Sequence, residues 1–151
     1  MRFVIAVITF ALACMPGATR ASQPAQPLPL VVLLASDQST YQMGATATFI
    51  LAIDNPGAAP VAATLPSGQR YEIVVLAGDV EVWRWSANRA FPAVIMEPEF
   101  APGVTLLGRE TWDWRDNAGN PLPPGTYRVV GSLATNPPRT GNPVEVTLAA
   151  P

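Results

Sequence analysis

Hydrophobic and polar positions along most of this chain alternate with a period of two, the signature of half-buried strands. Residues 45–54, ATATFILAID, put Phe49, Leu51 and Ile53 on one face. Thr126 to Leu133 does the same with Tyr127, Val129, Gly131 and Leu133. Val144, Val146 and Leu148 alternate with Glu145 and Thr147. Leu30 to Ala35 is an unbroken apolar run, which predicts a strand buried on both faces. Val61–Leu65, Tyr71–Leu76, Val80–Trp85 and Val104–Trp114 complete the set. Turn signals separate them: Asn55-Pro56-Gly57, Pro66-Ser67-Gly68, Asp116 to Gly125 and Asn136 to Pro143. Ala77-Gly78-Asp79 predicts a three-residue hairpin loop. No mature segment has helical periodicity. The pattern predicts an all-β fold, an antiparallel immunoglobulin-like β-sandwich of about 7–8 strands.

Residues 1–21 depart from this pattern and read as a signal peptide. Arg2 precedes an uncharged apolar run, Phe3 to Cys14, too short to cross a bilayer as a helix. Thr19-Arg20-Ala21 offers small residues for cleavage after Ala21. The competing route is a lipoprotein anchored through Cys14, but Ala11-Leu12-Ala13 is a poor lipobox. Residues 22–29, SQPAQPLP, form a linker and the sandwich occupies 30–151. The expected location is extracytoplasmic, secreted or periplasmic, with no membrane span.

Composition narrows the chemistry. The 151 residues hold no His, a single Cys and a formal charge of −2. The lack of His removes most hydrolase triads and most zinc sites. The acidic balance argues against nucleic acid. Ser67 has no His or Lys to activate it. The pairs Asp113/Asp116 and Glu97/Glu99 are close in sequence, which does not set a catalytic separation. The expectation is a non-enzyme without a cofactor. Asp113, Asp116, Asn117 and Asn120 are oxygen donors that raise a calcium loop, but their spacing is not that of an EF-hand and no metal is expected.

Two stretches are more specific. The first joins Ser67-Gly68-Gln69-Arg70-Tyr71 to Val82-Trp83-Arg84-Trp85-Ser86. The second runs from Pro102-Gly103 through Trp112, Asp116 and Gly119 to Pro123-Pro124-Gly125-Thr126-Tyr127. Their order resembles the BsuPI domain, the bacterial intracellular proteinase inhibitor family, over roughly residues 30–135. The resemblance implies an Ig-like sandwich and a proteinase as partner. The segment from Trp112 to Asn120 is also similar to a hairpin of flagellar-hook-capping Ig-like domains, where the shared physics is an Asx turn closed by glycine.

Within these stretches, period two puts Trp83 and Trp85 on one face and Arg84 on the other with Val80 and Val82. The two tryptophans suit core and rim packing, with an exposed binding patch as the alternative. Arg84 is expected to pair with a carboxylate such as Glu72 or Asp113. Trp83, Trp112 and Tyr127 are expected in the core. The family-motif residues Ser67, Gly68, Gln69, Tyr71, Trp83, Arg84, Trp85, Ser86, Trp112, Gly125 and Tyr127 read as structural. Residues 86–103 are the longest stretch without periodicity and predict a long connection with room for one helical turn. Its apolar residues Phe91, Val94, Ile95, Met96 and Phe100 are the candidate contacts to a protein partner; the alternative is that they cap one end of the sandwich. The functional expectation is an exported, monomeric domain that inhibits a proteinase without covalent chemistry. The alternative is a structural or adhesion module of the cell envelope.

Overall fold

The computed structural model describes residues 28–150. The expected leader, Cys14 and residues 22–27 of the expected linker lie outside the described residues. The strands in order are β1 (Val31–Ser36), β2 (Thr40–Tyr41), β3 (Ala47–Asn55), β4 (Val61–Ala62), β5 (Tyr71–Ala77), β6 (Val80–Arg84), β7 (Glu99–Phe100), β8 (Gly103–Trp112), β9 (Gly125–Leu133), β10 (Arg139–Thr140) and β11 (Val144–Leu148). Seven of them have five or more residues and match the expected strands; the others are two-residue pairings.

One sheet has the order β1-β3-β8. The second runs β2-β11-β9-β5-β6, with β10 beside β9. β4 and β7 form a small third sheet. Pairing is antiparallel except between β11 and β2, which run parallel. The alternating positions explain the core. Phe49, Leu51 and Ile53 of β3 are fully buried, as are Ile73 and Val75 of β5, Val129 and Leu133 of β9, and Val146 of β11. Each such side chain contributes roughly 1.5–3 kcal/mol on burial, which is how a domain with no disulfide holds together. An aromatic cluster closes one end of the core: Trp112 lies between Trp114 at 4.6 Å and Tyr127 at 5.8 Å, with Trp83 at 6.1 Å.

Four expectations are corrected. β1 is buried on one face only: Val32 is buried, whereas Val31 and Leu33 are 44% and 41% exposed. The core lies on one side of this sheet, so only the inward residues of β1 are covered. The β5–β6 loop has two residues, not three, because Ala77 pairs with Val80. Gly78 at φ 61° takes the left-handed position that this tight turn requires. β6 also does not alternate strictly. Trp83 pairs with Val75 but Glu81 with Leu76, so Val82 is bulged and packs against the core rather than sharing a face with Arg84. Finally, residues 86–103 form no helix. They turn back and run beside residues 61–68, closed by the β4–β7 pair and a bridge between Leu65 and Met96.

Candidate partner-binding site

The Pro-rich segment after β6 is held along its length. A turn follows Arg84, with the Arg89 amide donating to the Ser86 carbonyl at 3.0 Å. The Phe91 ring packs on Trp85 at 5.6 Å. The Gly68 amide donates to the Pro92 carbonyl at 2.8 Å. Leu65 and Met96 exchange both backbone bonds, at 2.8 and 3.0 Å, and the Ala63 amide donates to the Pro98 carbonyl at 3.1 Å. Asn55, itself buried, donates from Nδ2 to the Phe100 and Ala59 carbonyls and fixes the far end to β3.

This geometry divides the five candidate contact residues. Phe100 is only 1% exposed and belongs to the core, so it cannot meet a partner. That corrects its assignment, and the cause is its place in β7 opposite Val61. Met96 is half-buried against the core and Phe91 half-buried on Trp85. Val94 and Ile95 remain, 52% and 69% exposed, between the anchors at Pro92 and Met96. The segment thus caps the sandwich with some of its apolar residues and displays two.

The first motif explains how the segment is anchored. Its polar residues converge on Glu72, which is 8% exposed. Gln69 Nε2 donates to Glu72 Oε2 at 3.1 Å, and Arg84 Nη1 reaches the same oxygen at 3.3 Å. Ser86 Oγ donates to it as well. Oε1 accepts the amides of Ile73 at 3.0 Å and Ser86 at 3.2 Å. Arg84 also binds Glu81 through Nε at 2.8 Å and through Nη2, because the bulge at Val82 turns Glu81 and Arg84 to one face. These bonds to Glu81, ahead of the cost of burial, hold the Arg84 guanidinium above its ordinary pKa. Ser67 Oγ accepts the Gln69 amide at 3.2 Å and serves the turn. Around Glu72 and Arg84 the outer sheet surface forms an open depression of about 450 Å³, also lined by Val130, Ser132 and Thr140. Of the two carboxylates the sequence offered to Arg84, it is Glu72 that pairs with it, and the same carboxylate also gathers Gln69 and Ser86.

Tyr71 and Trp85 stack at 4.5 Å on the inner side. Tyr71 Oη donates to Glu110 Oε1 at 2.5 Å, Glu110 pairs with Arg89 at 3.6 Å, and Arg89 lies 4.3 Å from the Trp85 ring centroid. Burial first, and then the Glu110 carboxylate, push the Tyr71 phenol well above its ordinary pKa. Trp85 is therefore a packed platform for the segment and not a bare surface patch.

The second motif is a turn and its support. Trp112 Nε1 donates to the Arg115 carbonyl at 2.9 Å, and Tyr127 Oη donates to the Pro123 carbonyl at 2.6 Å. Trp114 takes φ 61°, unusual for a bulky residue, and its ring is buried. Gly125, at φ 159°, begins β9. Asp116 Oδ1 accepts the Ala118 and Asn120 amides and Oδ2 accepts Asn120 Nδ2. Asn117 gives both amide atoms to the Arg84 backbone. Asp113 pairs with Arg115, not with Arg84. The Asp113 and Asp116 carboxylates are thus engaged within the turn, and Asn117 Oδ1 is taken by the Arg84 amide. Among the described residues no group of three or more His, Cys, Asp or Glu is placed to hold a metal ion.

A family model described as BsuPI, intracellular proteinase inhibitor, matches residues 34–138. No curated protein matches the chain. Among solved structures, the chain is similar to Spo0M, a sporulation control protein from Bacillus subtilis, with 14% identity and a TM-score of 0.48 over 82% of this chain and 50% of that one. It is also similar to the CARDB domain of PF1109 from Pyrococcus furiosus, with 13% identity and a TM-score of 0.43 over 79% and 91%. The β-glucosidase EmGH1 from Erythrobacter marinus matches with 13% identity and a TM-score of 0.45; there the alignment covers 81% of this chain and 16% of the glucosidase.

Proposed function

The chain belongs to the BsuPI family of intracellular proteinase inhibitors, and on that premise we propose that it is a non-catalytic domain that blocks a proteinase by occlusion. The observation that carries the reading is the display of Val94 and Ile95 on a segment bonded at both sides, to Gly68 through Pro92 and to Leu65 through Met96. Apolar side chains on a preformed loop fill a substrate pocket at little cost in ordering. The prolines Pro92 and Pro98 stiffen the same stretch. No nucleophile or general base is needed, and the mechanism forms no covalent bond.

We further propose that the domain works outside the cytoplasm. Arg2, the apolar run Phe3 to Cys14 and the small residues Thr19 and Ala21 support this reading. The family's description is of an intracellular inhibitor, so export would set this chain apart from it. Mass spectrometry of the native product tests it: Ser22 as the first residue is expected, and a diacylglyceryl Cys14 would make it a lipoprotein.

Inhibition is tested by titrating the purified protein against a panel of secreted bacterial proteinases. Stoichiometric inhibition of at least one is expected, abolished by Ile95→Asp with an unchanged melting temperature. No inhibition at micromolar excess across the panel would leave a structural or adhesion role in the envelope.

A further inference from the structure

The three-stranded sheet has an outer face that none of the described residues covers. Its register sets three rows across β1, β3 and β8: Val31, Asp54 and Val104; then Leu33, Ala52 and Leu106; then Ala35, Ile50 and Arg109. Val104 is 66% and Leu106 60% exposed, facing the half-exposed Val31 and Leu33 across β3. The sequence of β1 is apolar at every position from Leu30 to Ala35, as in a strand covered on both sides, yet among the described residues only one face is covered. A contiguous apolar sheet face of this kind marks an interaction surface. Its charges are arranged in a particular way. Asp54 stands in the first row and Arg109 in the third, and among the described residues neither has an ion-pair partner.

We propose that this face is covered by the same face of a second copy, in a two-fold dimer. A two-fold axis across the middle row stacks Leu33, Ala52 and Leu106 on themselves and lays the first row of each copy over the third row of the other. Asp54 then lies over Ile50 of the second copy, one strand spacing of about 4.8 Å from the strand that carries Arg109. That is within reach of an arginine side chain. Symmetry forms the pair twice, so a face that is half acidic and half basic complements itself. An unlike partner would have to supply both charges in the opposite order. A dimer departs from the monomer expected of the sequence, where the apolar run of β1 was assigned wholly to the fold.

Three strands by the ten residues of β8 span on the order of 450 Å² per copy, below the roughly 800 Å² of a stable interface. The association is therefore reversible, with a dissociation constant in the micromolar range. The inhibitory reading is not needed for it.

Sedimentation velocity of the purified protein from about 1 to about 300 µM is the test. A concentration-dependent passage from monomer to dimer is expected. Leu106→Asp, at an exposed position, should keep the melting temperature and leave a monomer. Asp54→Arg and Arg109→Asp should each weaken the dimer about tenfold, and the two together should restore it. A monomer across the range, a dimer indifferent to Leu106→Asp, or a double reversal no better than the singles would overturn the proposal. So would a monomeric protein whose face is instead taken up by lipid vesicles or by another protein.

Discussion

The side-chain amide of Asn117 pairs with the backbone of Arg84 in both directions: Oδ1 accepts the Arg84 amide at 2.8 Å and Nδ2 donates to the Arg84 carbonyl at 2.8 Å. β6 is the edge of its sheet, and an edge strand carries unpaired backbone groups. One asparagine occupies them as a residue of a neighbouring strand would. It also joins the two motif stretches, since Arg84 sits in the first and Asn117 in the turn of the second.

Asn117→Asp should therefore destabilise the domain more than its size suggests. The carboxylate keeps the acceptor for the Arg84 amide but sets a second oxygen against the Arg84 carbonyl. Loss of one bond and an unpaired acceptor cost about 1–3 kcal/mol. Urea denaturation of the two proteins measures the difference, and equal midpoints would refute the role.

Glu72 predicts a larger effect. Glu72→Ala removes the acceptor for Gln69, Arg84, Ser86 and the Ile73 amide at once. Donors left unsatisfied in a nearly buried site cost roughly 3 kcal/mol. Arg84→Ala should cost only about 1 kcal/mol, because its guanidinium is partly exposed and its pairs are screened. A smaller loss for Glu72→Ala than for Arg84→Ala in chemical denaturation would reverse this ranking.

The strands were legible because their apolar positions repeat with a period of two: Phe49, Leu51 and Ile53 face the core as their spacing implies. The bulge at Val82 was not legible, since an extra residue leaves no mark in local composition and is set by the pairing with β5. The same holds for the site. Residues 86–103 stand out in the sequence by lacking periodicity, but not that they lie along residues 61–68. Phe100 and Ile95 look alike as apolar residues between prolines. Only the pairing of Phe100 with Val61 and its bond from Asn55 separate a core residue from a displayed one. Glu72 could be named from the sequence as one of two carboxylates for Arg84, but its choice over Asp113 and the convergence of Gln69 and Ser86 on it appear only when β5 and β6 are paired.

Acid should weaken the fold through Asp37 and Asp116. Asp37 Oδ1 accepts the Tyr41 hydroxyl at 2.5 Å and the Thr48 amide at 2.8 Å, and these bonds, the tyrosine's first, lower its pKa. Bonds from the Asn120 side chain and backbone lower that of Asp116. A carboxyl with a lower pKa in the folded state contributes stability above its unfolded pKa, and the contribution is lost as pH falls through the folded value. The melting temperature should thus fall as pH drops below about 4. Asp37→Asn combined with Asp116→Asn should flatten that limb while lowering stability at neutral pH. An acid limb as steep in the double variant as in the parent would assign it to other groups.

Gly68 gives the sharpest link between motif and site. A Cβ built on it would meet Pro92 Cδ at 2.6 Å and Cγ at 3.1 Å. The Gly68 amide is bonded to the carbonyl of the same proline, so the residue must stay close. Gly68→Ala therefore has to push Pro92 outward, and with it the Val94–Ile95 apex two residues further on. The sandwich core does not run through this contact, so a stability loss of only about 1 kcal/mol is expected, while proteinase inhibition should fall more than tenfold. Hydrogen exchange at the Leu65 and Met96 amides, which close the far side of the segment, should quicken whatever the partner is. Pro92→Ala deletes the Cγ and Cδ that obstruct the new methyl, so the double variant Gly68→Ala/Pro92→Ala should recover part of the exchange protection. Gly68→Ala with parental exchange at both amides would mean that the segment does not depend on the motif. A double variant no better protected than Gly68→Ala alone would mean that the contact with the Pro92 ring is not the reason for the glycine.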